Sequence, residues 1–279
     1  MTQVALVQPS APARLIDEDR VRWLLDSIRG NRFLPQPDSN NVFVGDGDFR
    51  AIGAEFLGHF IRIGGLREDS RVLDIGCGIG RMAVPLTQYL DPQAGRYDGI
   101  DPVEGGIDWC QRTITPVYPN FNFQRLDIAH ELYNPGGKIS GKTLALPFPD
   151  RHFDFVLMTS VITHLPPAEI LAYLAEVRRI LVPGGRLFMT AFVVDRIAAA
   201  NENGRRDPRL AFRRYGESPC WFVPDQPPLA AVGFEDGFLD KALGRSGLSL
   251  ALKSLGHWRG TNAAHHQDFI VAKRRGDGR

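Results

Sequence analysis

The run VLDIGCGIGR at residues 72–81 constrains this chain more than any other segment. Val72, Leu73 and Ile75 read as a buried strand, Gly76, Gly78 and Gly80 as a turn, and the residues after Arg81 as a helix. Glycines have no Cβ, so the backbone can turn sharply and a ligand can approach its peptide groups closely. The free amides of a following helix add a place for a carboxylate or phosphate. The nicotinamide fingerprint G-x-G-x-x-G begins in the same way at Gly76 and Gly78. Its third glycine falls on Arg81, too large for close helix contact, and Asp74 would repel a pyrophosphate. Both departures disfavour a dinucleotide.

The rest of the chain repeats the same strand-then-helix rhythm. Apolar, strand-like runs at 71–75, 97–101, 121–127, 153–159 and 186–194 are separated by helix-length segments. Helices are expected after Arg81, over 106–113 and over 167–181, where Ile170, Leu171, Leu174, Val177, Ile180 and Leu181 form a stripe. Such alternation predicts a parallel sheet covered on both faces. Segments 248–255 and 267–273 can pair as a terminal antiparallel unit, after a short helix at 238–243.

Ahead of the glycine run, residues 1–13 read as a loose tail. Near-helical apolar spacing then predicts helices over 15–28 and from Ile52 to Ile63. Residues 196–235, rich in arginine, glycine and proline, interrupt the alternation and read as an inserted excursion rather than a sheet element. The expected division is therefore 1–65, helices that pack on or cover the core, and 66–279, the main domain with 196–235 inserted.

Composition narrows the partners. Thirty-three basic residues against 32 acidic ones leave a net charge of +1, without the basic excess of a nucleic-acid binder. Cys77, Cys110 and Cys220 lack disulfide or metal-ligand spacing, which suits a reducing, cytoplasmic setting. No signal-like start or stretch of about 18 apolar residues is seen, so no membrane partner is expected. The oligomeric state is left open.

With Asp74, Gly76, Gly78 and Gly80 matching an acid followed by G-x-G-x-G, the chain resembles the class I S-adenosylmethionine-dependent methyltransferases, in their small-molecule branch. The resemblance extends through YDGIDP, FQRLDIA, LPFPDRHFDFV and LVPGGRLF, covering residues 66–194. It implies an α/β, doubly wound, mostly parallel seven-stranded Rossmann-like sheet with an antiparallel strand near one edge. It also implies S-adenosyl-L-methionine as cofactor. By the same resemblance Asp101 would accept from both ribose hydroxyls, Pro102 would lie near the adenine, and Asp127 would accept from the adenine amine with Ile128 beside the ring. Thr159 would face the methionine end. Asp101 read alone can also cap the following helix, and Asp127 can cap a turn.

Methyl transfer is an in-line displacement helped mainly by positioning and desolvation. A hydroxyl acceptor also benefits from a base. His164, in the loop after the fourth strand, is the candidate base; the alternative is a cap or packing residue for the helix starting near Pro167. His257, His265 and His266 lack accompanying ligands, so no metal is expected. In the excursion, Arg205, Arg206, Arg209, Arg213 and Arg214 can receive an anionic substrate, while Tyr215, Trp221 and Phe222 can close over an apolar one. Phe49 or a neighbour is expected to reach the site from the N-terminal side. The reaction expected is transfer to a small molecule, most often to hydroxyl oxygen, with nitrogen or carbon as alternatives. A nicotinamide oxidoreductase and a non-catalytic S-adenosylmethionine-binding protein are the readings from other classes.

Overall fold

The computed structural model describes residues 16–38, 45, 47–200 and 207–276. The expected tail and Arg205 and Arg206 lie outside them. Two N-terminal helices come first, α1 (Glu18–Gly30) and α2 (Phe49–His59). Each opens on an aspartate that accepts a backbone N–H of the first turn, Asp17 from Arg20 and Asp48 from Ala51, removing one of the unpaired donors of a helix start. The second helix widens into a π turn over Phe60–Gly64 and stops at Gly65, whose φ is +75°.

The core then alternates as β1 (Arg71–Ile75), α3 (Ala83–Leu86), β2 (Arg96–Asp101), α4 (Glu104–Thr113), β3 (Phe121–Arg125), β4 (Phe153–Met158), α5 (Pro167–Ile180) and β5 (Leu181–Ala191). Further on come β6 (Val193–Val194), α6 (Arg196–Ala200), β7 (Arg213–Arg214), β8 (Cys220–Phe222), β9 (Val232–Glu235), α7 (Phe238–Arg245), β10 (Leu248–Ser254) and β11 (Asp268–Arg274). Seven strands form one sheet in the order β10-β11-β5-β4-β1-β2-β3. All pairings from β5 to β3 are parallel, and β11 runs antiparallel to both β5 and β10. This is the mostly parallel, doubly wound sheet that the alternation predicts. The helix expected after Arg81 is a single turn. Pro85 falls within it, and a proline cannot donate to the preceding turn.

Both faces are covered, and alternate strand residues serve separate cores. In β1, Leu73 and Ile75 join the side packed by α5 and α7, while Val72 joins the side packed by α1, α2 and α4. Asp74 follows the parity of Val72, so its carboxylate enters the second core, where Tyr97 also lies. Phe155 and Phe188 bring the parallel strands into contact with Phe60 of the N-terminal part, at centroid separations of 6.2 and 5.0 Å. The N-terminal helices are thus built into the core.

The 196–235 segment departs from the expectation of a strandless excursion. Strands β7, β8 and β9 form a small sheet with β6, in the order β6-β9-β8-β7. The cause is local patterning: Cys220, Val232 and Phe234 face the main core, while Val194, Leu210, Phe212 and Val223 form a satellite cluster on Trp258 and Phe192. The junction is polar and buried. Asp268, fully buried at the start of β11, accepts from the Val193 and Gly256 amides and from the Trp258 indole N–H. Arg259 pairs with Asp195 at 2.6 Å and donates to the Val193 carbonyl.

Candidate functional site

A cavity of about 610 Å³ lies beyond the carboxyl ends of β1, β2 and β4, where open α/β sheets place their ligands. Its first end is made largely by backbone. Gly76 takes φ +76°, and a Cβ there would meet Val161 Cγ2 at 2.5 Å. Both conformation and space therefore demand glycine. Gly78 presents its amide to Asp101 Oδ2 at 2.8 Å, and the Val103 amide donates to Oδ1 at 2.8 Å. Each oxygen keeps a lone pair for a further donor. Burial raises the carboxyl's pKa, opposed by these two amides.

Asp74 lies beneath this turn and does not line the cavity. It is fully buried, accepts from the Tyr97 hydroxyl at 2.7 Å, and burial lifts its pKa to about 7. Gly80 serves packing: a Cβ would meet Cys110 Sγ at 2.9 Å. Arg81, which breaks the dinucleotide fingerprint, donates to the Gly45 carbonyl at 2.7 Å and lies over the Phe49 ring. It thereby fastens the N-terminal segment across the turn. Phe49 stays in the core, while Ile52 and Phe56 of the same helix reach the cavity.

The second end is made by side chains. His164, on the single 3₁₀ turn after β4, sets Nδ1 2.9 Å from the Leu229 carbonyl. A carbonyl only accepts, so Nδ1 carries the proton and Nε2 an open lone pair. Burial lowers the imidazole pKa and keeps it neutral. The Tyr133 hydroxyl lies 3.4 Å from Nε2, on the side from which it can donate. Phe192, Leu210, Ala230 and Ala231 supply apolar walls, and Asp207, Arg209 and His266 a polar rim. Among them Arg209 and Asp207 pair at 3.0 Å.

Of the residues singled out from sequence, Gly76, Gly78, Asp101, Pro102, Ile128, Thr159 and His164 line this one cavity. Asp127 does not. Its carboxylate accepts from Asn134 at 3.0 Å and lies 3.7 Å from Arg125, and the Asn134 bond leads the causes of its lowered pKa. Tyr215, Trp221 and Phe222 also lie off the cavity, and Arg214 is engaged with Glu235 at 3.2 Å. Tyr133, His130 and Phe192 escaped the sequence reading, and His266, weighed there only as a metal ligand, lines the cavity. Only HELY at 130–133, polar and aromatic just after a strand end, offered a signal. Among the described residues no group of three or more His, Cys, Asp or Glu is arranged to hold a metal ion, and no helix is long and apolar enough to cross a membrane.

Comparison with known proteins agrees with this geometry. Residues 72–185 match a methyltransferase-domain family model. A fatty-acid O-methyltransferase of Mycolicibacterium smegmatis is 34% identical over 123 residues, 44% of this chain and 37% of that protein. A demethylmenaquinone methyltransferase of Symbiobacterium thermophilum is 29% identical over 181 residues, 64% of this chain and 61% of that protein. Each match spans less than two thirds of the relative's length. Among solved structures, a 1,6-didemethyltoxoflavin N1-methyltransferase of Burkholderia thailandensis, with S-adenosylhomocysteine bound, superposes with TM-score 0.52 at 17% identity. That match covers 96% of this chain and 94% of the other, and shows the same fold. The chain therefore carries, over residues 72–185, the methyltransferase domain of the class I S-adenosylmethionine-dependent enzymes.

Proposed function

We propose that this protein moves the methyl group of S-adenosylmethionine to a hydroxyl oxygen of a small, largely apolar acceptor. The observation that carries the reading is the His164 imidazole, which presents an unprotonated Nε2 to a cavity whose other end is a glycine turn with a buried acid. The residues present fit the cofactor. Asp101 is buried at the cavity edge with a spare lone pair on each oxygen, suited to two vicinal hydroxyls, and Gly76 leaves room that any Cβ would fill. Pro102 and Ile128 offer apolar surface to a flat ring, and Thr159 lies toward the β4 end of the cavity. When bound, the cofactor supplies an electrophilic methyl on a sulfonium.

His164 takes the acceptor's proton at Nε2 while the Leu229 carbonyl holds the Nδ1 proton in place. The apolar walls exclude water from the reacting oxygen. The segment 196–235, through Leu210, Ala230 and Ala231, covers this end and shapes the acceptor. The activities for which the relatives are named, on a fatty acid and on demethylmenaquinone, support an apolar acceptor. Titration with S-adenosylhomocysteine, followed by a mass-spectrometric screen of acceptor alcohols, phenols and acids, tests the reading. Absence of S-adenosylhomocysteine binding would reject it.

A further inference from the structure

The His164 base has an arranged companion. His130 Nδ1 receives the amides of Leu132 at 3.1 Å and Tyr133 at 3.3 Å. That nitrogen is therefore an acceptor, and the proton sits on Nε2, which donates to the His164 carbonyl at 2.9 Å. One imidazole in one fixed tautomer thus ties the backbone of Tyr133 to the backbone of His164. The loop is anchored again by Asn134, whose amide donates to Asp127 and to the Ile128 carbonyl, each at 3.0 Å. Tyr133 and His164 meet edge to face, centroids 5.4 Å apart, with the phenol oxygen 3.4 Å from Nε2. That is long for an O–H···N bond, as is common between catalytic groups before substrate arrives.

We propose that Tyr133 is an acceptor-contacting residue that selects oxygen over nitrogen: its hydroxyl donates to the acceptor atom while His164 Nε2 accepts that atom's proton. The inference rests on the methyl-transfer reading above. The selection follows from counting lone pairs. An acceptor R–OH gives its proton to Nε2, receives the Tyr133 hydrogen bond on one lone pair, and attacks the methyl with the other. The new O–C bond forms as the C–S bond breaks, its electron pair passes to sulfur, and the proton ends on His164. An amine has a single lone pair. If Tyr133 donates to it, no pair remains for attack, and if it attacks, the phenol can only accept an N–H through its own oxygen, so the hydrogen bond that it donates to a reacting hydroxyl is lost. The pair therefore matches a hydroxyl and opposes an amine at the same position. His130 is the positioning residue, acting through the backbone of both partners.

The test uses Tyr133→Phe, which keeps the ring and removes only the hydroxyl. In ¹⁵N-histidine NMR of the full chain with S-adenosylhomocysteine bound, wild-type His164 is expected as the Nδ1-protonated tautomer. Its Nε2 resonance should move in Tyr133→Phe without loss of S-adenosylhomocysteine binding. A purely structural tyrosine would leave that resonance in place. The Nε2-protonated tautomer, or an unmoved resonance, overturns the proposal. Turnover is then compared on matched pairs, phenol with aniline and 1-octanol with octylamine. A hydroxyl preference that falls about tenfold or more in Tyr133→Phe supports selection, and an amine preference, or one indifferent to Tyr133, overturns it. Failure of wild-type protein to bind S-adenosylhomocysteine is a separate result, which removes the methyl-transfer reading itself.

Discussion

The two ends of the cavity are built from different materials. The glycine end is backbone, contiguous within residues 75–78 and completed by one carboxylate from the next strand. The histidine end is side chains brought from residues 133, 164, 192, 210, 230 and 266. A site made of backbone must be written as closely spaced glycines, because only they allow its torsions and approach distances. A site made of side chains can be assembled from any segments the fold brings together, and it leaves no local pattern. The first end therefore tolerates little change, and the second can be retuned one side chain at a time.

The largest effect expected from disturbing this contrast is at the second end. His164→Ala should lower turnover on a hydroxyl acceptor by roughly 10²–10⁴-fold, the usual worth of a positioned base, with S-adenosylhomocysteine affinity unchanged in a calorimetric titration. Undiminished turnover at saturating acceptor would show that positioning alone suffices. Because burial holds the His164 pKa below its ordinary 6.5, the base should already be competent at pH 6.5, and the rate should fall on acidification below that.

The glycine end responds to pH through stability instead. Asp74 has a folded pKa of about 7 against 3.8 as reference. The folded state binds the proton more tightly than the unfolded chain, so the contribution is fully present below pH 3.8 and is lost as pH rises to about 7. The loss amounts to at most about 4 kcal/mol. Asp268, raised to about 6, acts in the same direction over the lower part of that range. Asp74→Asn should flatten the denaturation-midpoint profile between about pH 4 and pH 7. An unaltered slope would mean that other groups set it.

Asp101→Ala comes next, weakening S-adenosylhomocysteine binding by about 1–3 kcal/mol, as expected when hydroxyls lose a charged partner. Equal affinity in a folded variant would move the ribose elsewhere. The smallest change is expected at Asp127, whose carboxylate is engaged outside the cavity. Its alanine variant should alter affinity by less than about threefold, and a loss as large as that of Asp101→Ala would place this acid on the ligand after all.

The sequence was most informative where periodicity or backbone geometry dictates residue type. The parallel strands, the edge pair formed by β10 and β11 and the turn at Gly76 and Gly78 all fall in this class. Asp127 shows the limit, since an acid at a strand end is equally suited to a ligand and to Asn134 seven residues later. Tyr133 shows the converse. Its place beside His164 depends on a tautomer of His130 and a carbonyl at Leu229, neither of which is a property of neighbouring residues. The small sheet was hidden because strands of two to four residues carry too little alternation to be read.

The join between the two sheets has a practical consequence. Val193 and Val194 pair in the small sheet, yet only Phe192 separates them from β5 in the middle of the large one. Asp268 binds the same junction from β11. Exchanging this cover with that of a relative would therefore require a splice within a nearly continuous strand, where a one-residue error inverts which side chains face inward. Changes of acceptor range are better sought by point replacement at Leu210, Ala230 and Ala231 than by transplanting the segment whole.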